Sequence, residues 1–186
     1  MPPRERRFFS ILSMRVLIYG FGPYKQYTSN ITQQIVSELP ASRYLKKIIF
    51  DVRFDGKQFV HAVRKHHPDI VLGLGQCPSG RLMRIERRAV NRKRGDKKKR
   101  ARPIIRGGPR TLATTLRLDR RLFDKRAKIS RDAGDYVCNF SMYVILDYMR
   151  RRCSEARFGF VHVPHDFPLR RACGLIRRVV RDISRR

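Results

Sequence analysis

Three segments of this chain carry side chains able to activate a thiol. Glu86 stands in IERRAVN (residues 85–91), Cys138 in DAGDYVCNFSMY (residues 132–143) and His162 in GFVHVP (residues 159–164). The thiolate, not the thiol, is the nucleophile, so a working cysteine needs surroundings that favour negative sulfur. A cysteine where a loop enters a helix lies against unpaired N–H groups, and an adjacent imidazolium lowers its pKa further. A carboxylate on the imidazole holds the ring in one orientation. Together the three would make a nucleophilic catalyst. Taken singly, the same residues also read as a small buried core residue, a satisfied core histidine and a glutamate paired with an arginine.

The elements around them fix where these side chains can meet. Arg15 to Gly20 (RVLIYG) is a short β-favouring run that opens into Gly-Phe-Gly-Pro, and residues 1–13 before it read as a basic N-terminal extension. Residues 28–39 predict a helix with Ser29 or Asn30 near its cap, followed by a strand over 47–52. A second helix is expected over 58–66, stopped by Pro68, and DIVLGL (residues 69–74) is a buried strand ending at Gly75. Further on, the pattern gives a helix over 142–152, a strand over 158–163 and a basic amphipathic helix over 169–183. Strands alternating with helices predict one α/β domain over residues 14–186, a largely parallel sheet between helical layers.

Composition bounds the partners. The 186 residues hold 44 Lys+Arg against 15 Asp+Glu, a formal charge of +29, yet 41% are hydrophobic, enough for a folded core. Such a surface repels itself unless a polyanion neutralises it, and RNA is a natural candidate. Residues 92–102 (RKRGDKKKRAR) form the densest basic loop, with Lys93, Lys97, Lys98, Lys99, Arg100 and Arg102 as the polyanion-contacting side chains. The helix over 169–183 adds to it. Four cysteines without a CxxC pair suit a reducing compartment, and with no signal peptide or membrane-length apolar run the expectation is a cytoplasmic protein. No zinc-ligand spacing occurs, and no metal or other cofactor is expected.

The order of these segments resembles the pyroglutamyl peptidase I (pyrrolidone-carboxylate peptidase) family of cysteine peptidases. The likeness runs from Met14 to about Pro164 through GFGPY (20–24), Asn30, PDIVLGLGQ (68–76), IERRAVN, a GGP turn at Gly107, DAGDYVCN and GFVHVP. It implies a three-layer α/β/α fold with an open, twisted, mainly parallel sheet. It also implies that Cys138 is the nucleophile, His162 the general base and acid, and Glu86 the group that orients the ring. Phe21 and Tyr24 would line a pocket for the lactam ring, with Asn30 and Gln76 at substrate-binding positions. The register that holds an oxyanion-supporting arginine in the family carries Asp96 here, so Arg92 or Arg94 is expected to take that place. The implied substrates are peptides with N-terminal pyroglutamate, and the family resemblance implies a homo-oligomer. The alternative expectation, set by the charge, is a peptidase-like fold recruited as an RNA-binding or ribosome-associated protein.

Overall fold

The computed structural model describes residues 14–185 other than 25, 26, 97 and 99. The N-terminal extension, Lys97 and Lys99 therefore lie outside the described residues. Six strands form the main sheet: β1 (Val16–Phe21), β2 (Leu45–Phe50), β3 (Ile70–Cys77), β4 (Met83–Glu86), β7 (Ala127–Ser130) and β8 (Arg157–Pro164). Their order across the sheet is β2-β1-β3-β8-β4-β7. Every neighbouring pair is parallel except β4 with β8. Two short strands, β5 (Arg88–Val90) and β6 (Thr111–Ala113), pair separately.

Alternation along the strands assigns each side chain to one of two cores. Val16 and Ile18, Ile70, Leu72 and Leu74, and Val161 and Val163 pack on one face with α1 (Ile31–Glu38) and α4 (Leu169–Ile183). Leu17, Tyr19 and Phe21, with Val71, Phe158 and Phe160, pack on the other with α2 (Gly56–His66) and α3 (Val137–Arg151). The result is the expected α/β/α sandwich. Both central strands, β3 and β8, are buried along almost their whole length, which explains their continuous apolar runs. Among the described residues, no helix is long and apolar enough to cross a membrane.

The expected boundaries differ in three informative places. The helix expected from Met142 begins at Val137, so Cys138 lies inside its first turn. Asn139 in that turn and Ser141 just after it look like breakers in sequence but are fully buried and bonded to neighbouring elements. The strands β4 and β7 went unread because each is only four residues long with a basic residue inside. The two ends of the basic loop are tied to each other and to α3, which its composition does not suggest. Lys93 and Arg102 exchange backbone hydrogen bonds at 2.7 and 2.9 Å, and the Lys93 ammonium sits 5.2 Å from the centre of the Phe140 ring.

Candidate active site

The C-terminal ends of the parallel strands β1, β3 and β8 open into a cavity of about 450 Å³, roofed by the loop that enters α3. Open α/β sheets place their ligand sites at this edge. Cys138 and His162 both line the cavity. His162 lies on the α3 face of β8, two residues beyond Phe160 on the same face. Because β4 runs antiparallel to β8, Glu86 pairs with Phe160 and reaches His162 diagonally on that face. The contact is direct: His162 Nδ1 is 2.8 Å from Glu86 Oε1. Both side chains are buried. With Nδ1 engaged, Nε2 is the ring nitrogen left for the sulfur, and Cys138 is near enough to favour the charged form of the ring.

Burial of the ring opposes its charge, but Cys138 and then Glu86 outweigh that cost and push the His162 pKa up to about 9. The imidazolium is therefore the resting form at neutral pH. Among the described residues no side chain caps the start of α3, so the N–H groups of its first turn face a ligand at the position of Cys138. Cys77, the other cysteine lining the cavity, differs in kind. Its burial, only partly offset by Arg84, pushes its thiol up to about 11.

Glycines make the junction sterically feasible. A Cβ on Gly75 would stand 2.7 Å from Cys138 Sγ and 2.9 Å from His162 Cδ2. A Cβ on Gly73, on the same face, would run into Phe160 and Tyr19 at 2.4 and 2.6 Å. The G-x-G of β3 is thus a trough in which the thiol and the imidazole meet.

Phe21, Tyr24, Asn30 and Gln76 all line the same cavity. Phe21 is buried against Tyr19 and Phe59, while Tyr24 is half-buried and stacks near Tyr27 and Tyr136. Burial, then the nearby Cys138, pushes the Tyr24 phenol up to about 12, so it stays protonated and able to donate. Asn30 is the N-cap of α1: its Oδ1 accepts from the Thr32 N–H at 3.0 Å, and its Nδ2 donates to the Gly22 carbonyl at 3.1 Å. Gln76 accepts from the Ile31 N–H at 2.9 Å. Its buried Nε2 donates to no group among the described residues.

Of the two arginines expected near the oxyanion, Arg94 is in the cavity wall and Arg92 is not. Arg94 is tied to Asp135 by a 2.7 Å hydrogen bond from Nε, and Arg92 to Asp132 at 3.0 Å. Asp96 points its carboxylate to the Lys98 N–H within the basic loop, away from the cavity wall. Three residues escaped the sequence reading. Arg84 lines the cavity, sits opposite His162 across the β4–β8 pair, and makes no ion pair among the described residues. Its place could have been found only by recognising β4. Asn139 clasps β5 through the Val90 N–H and carbonyl and the Arg92 carbonyl. Asn91 binds four backbone groups of residues 104, 105 and 108. These two asparagines hold the wall that carries Arg94. Among the described residues, no group of three His, Cys, Asp or Glu side chains is placed to hold a metal ion.

The pyroglutamyl peptidase family profile matches residues 14–169, which spans strand β1 through the start of α4. The chain belongs to the pyroglutamyl peptidase family. It is 34% identical over 166 positions to a pyrrolidone-carboxylate peptidase of Halalkalibacterium halodurans, covering 80% of this chain and 83% of the relative. A Saccharolobus islandicus pyrrolidone-carboxylate peptidase is 32% identical over 168 positions, covering 81% and 79%. Pyroglutamyl peptidase I from Bacillus amyloliquefaciens superposes with a TM-score of 0.81 at 24% identity, over 93% of this chain and 95% of that one. At that identity the likeness speaks for the fold, which is the fold of the pyroglutamyl peptidase family.

Proposed function

We propose that the protein is a cysteine exopeptidase that removes N-terminal pyroglutamate from peptides. The observation that carries this reading is the meeting of Cys138 and the imidazole of His162 in one cavity, with the buried Glu86 behind the ring at its Nδ1, in a chain of this family. Relatives named pyrrolidone-carboxylate peptidase support the substrate class.

In this mechanism the pyroglutamyl ring enters between Phe21 and Tyr24. The Gln76 Nε2 donor, without a partner among the described residues and at the cavity wall, meets a carbonyl oxygen of the ring. The Cys138 sulfur attacks the scissile carbonyl carbon, forming a C–S bond while the carbonyl electrons move to oxygen. First-turn N–H groups of α3, capped by no side chain of the described residues, stabilise that oxyanion. Collapse breaks the C–N bond, and His162 gives its proton to the departing amine. Water then attacks the thioester, His162 takes its proton, and pyroglutamate leaves with the thiol restored. Glu86 touches no reacting atom. It keeps Nδ1 protonated and the ring aimed.

The decisive experiment is hydrolysis of a pyroglutamyl fluorogenic amide by the purified protein beside its Cys138→Ala variant. Turnover by the parent alone supports the reading. No turnover by the correctly folded parent overturns it.

A further inference from the structure

The basic helix α4 buries Ala172, Cys173, Leu175, Ile176, Val179 and Ile183 in the sandwich and leaves its other face exposed. In the middle of that exposed face stands Gly174, where an added Cβ would meet nothing within 4 Å. Glycine is the poorest helix former after proline, and no packing here requires it. The surface neighbours of a helical residue are those three and four positions away. For Gly174 all four are arginines: Arg170, Arg171, Arg177 and Arg178. The same face continues to Arg181, about 16 Å from Arg170 at the helical rise.

We propose that this arginine-ringed patch of bare backbone on α4 is a binding site for the phosphodiester backbone of a nucleic acid. The inference does not rest on the peptidase reading, since α4 and its core lie on the opposite face of the sheet from α3. A missing side chain lets a phosphate approach the helix closely, while the surrounding guanidiniums offer forked donors to its oxygens. The 3-10 turn Arg120–Phe123, which packs against α4, extends the charge with exposed Arg120, Arg121, Lys125 and Arg126. The local acids do not cancel it. Asp124 engages Arg178 at 2.5 Å, Arg177 donates to the Glu38 carbonyl at 3.5 Å with the Glu38 charge also near α4, and Asp182 is the one acid on the helix. Other occupants fit less well. A second copy of a chain of charge +29 would be repelled, and a bilayer would need the apolar face that α4 already spends on the core.

The test uses the whole protein with a labelled RNA hairpin and a DNA duplex of equal length, following anisotropy across a salt series. Arg170→Gln/Arg171→Gln/Arg177→Gln is compared with Lys57→Gln/Arg64→Gln/Lys65→Gln, which removes the same charge from α2 on the far layer. The first variant should flatten the log–log salt slope by about 2–3, at roughly 0.7–0.9 per lost phosphate contact, and the second should leave it unchanged. Gly174→Glu, placed in open space, should keep the circular dichroism of the parent and weaken binding by about tenfold or more. The RNA and DNA arms identify which backbone is held. Equal effects of the α2 and α4 variants, tighter binding to phosphatidylserine vesicles than to either nucleic acid, or no binding at physiological salt would each overturn the proposal.

Discussion

A β-carbon on Gly75 would lie 2.7 Å from the sulfur of Cys138, closer than real Cβ atoms come. The Cys138 sulfur therefore occupies the space of a side chain that β3 lacks. Gly75→Ala should push the sulfur or the imidazole aside, and small displacements of reacting groups cost about 10²-fold in rate. Overpacking should cost about 1–3 kcal/mol of stability. Turnover on a pyroglutamyl amide and urea unfolding would measure the two effects, and full activity in the folded variant would mean that the thiol works from another position.

Selective alkylation should distinguish the cysteines. Cys138 sits beside an imidazolium, whereas burial holds the thiols of Cys77 and Cys173 above their usual range. Cys153 is exposed and is the internal control. Limited iodoacetamide at neutral pH should label Cys138 ahead of the other three and abolish pyroglutamate release in step with labelling. Peptide mass mapping reads the order, and even labelling of all four contradicts an activated thiol.

The triad members should fail unequally. His162→Ala should be about as damaging as Cys138→Ala, a loss of roughly 10³-fold or more, because the groups act as a unit. Glu86→Gln keeps the shape of the side chain and should leave measurable turnover. Parent-like rates for His162→Ala would remove the mechanism altogether.

The pH profile follows from the same pair. The folded pKa of His162, about 9, is above its unfolded value near 6.5, so its stabilising contribution is complete below about pH 6.5 and disappears as pH rises through 9. A basic limb of kcat/KM is expected near pH 9, with thermal stability falling over the same interval. In Cys138→Ala the strongest influence raising the pKa is gone and burial remains, so the ring should titrate at lower pH by NMR. An unmoved titration would show that the two side chains are not coupled.

Arg84 offers the cavity a cation that no carboxylate of the described residues neutralises. Pyroglutamyl dipeptides with a free carboxylate should then have lower KM than their amides, and Arg84→Gln should erase about tenfold of that preference while changing kcat little. A preference that survives the substitution would place the carboxylate elsewhere.

Much of this arrangement was legible in the sequence, for reasons that particular residues show. Leu169 to Ile183 was readable to the residue because its apolar positions repeat at the helical period and Pro168 precedes it. The β3 and β8 runs were readable because buried parallel strands need no polar alternation. By contrast β4 hides behind Arg84 and Arg87, and only its antiparallel pairing with β8 brings Glu86 to His162. The roles of Asn91 and Asn139 were invisible because each serves backbone groups whose partners are far away in sequence. The choice between Arg92 and Arg94 likewise depended on which carboxylate each one meets.

The placement of β8 also sets when the site can exist. It is flanked by β3 on one side and β4 on the other, both of which leave the ribosome long before it does. Until β8 arrives, β3 and β4 have no common neighbour and the two halves of the sheet remain unjoined. Its insertion closes the sheet and delivers His162 to a glutamate 76 residues upstream in the same event. Such non-local pairing is slow, and it leaves two apolar strand edges exposed during synthesis. In a nascent chain of this design the Cys138 sulfur therefore has no imidazole beside it before the protein is nearly whole.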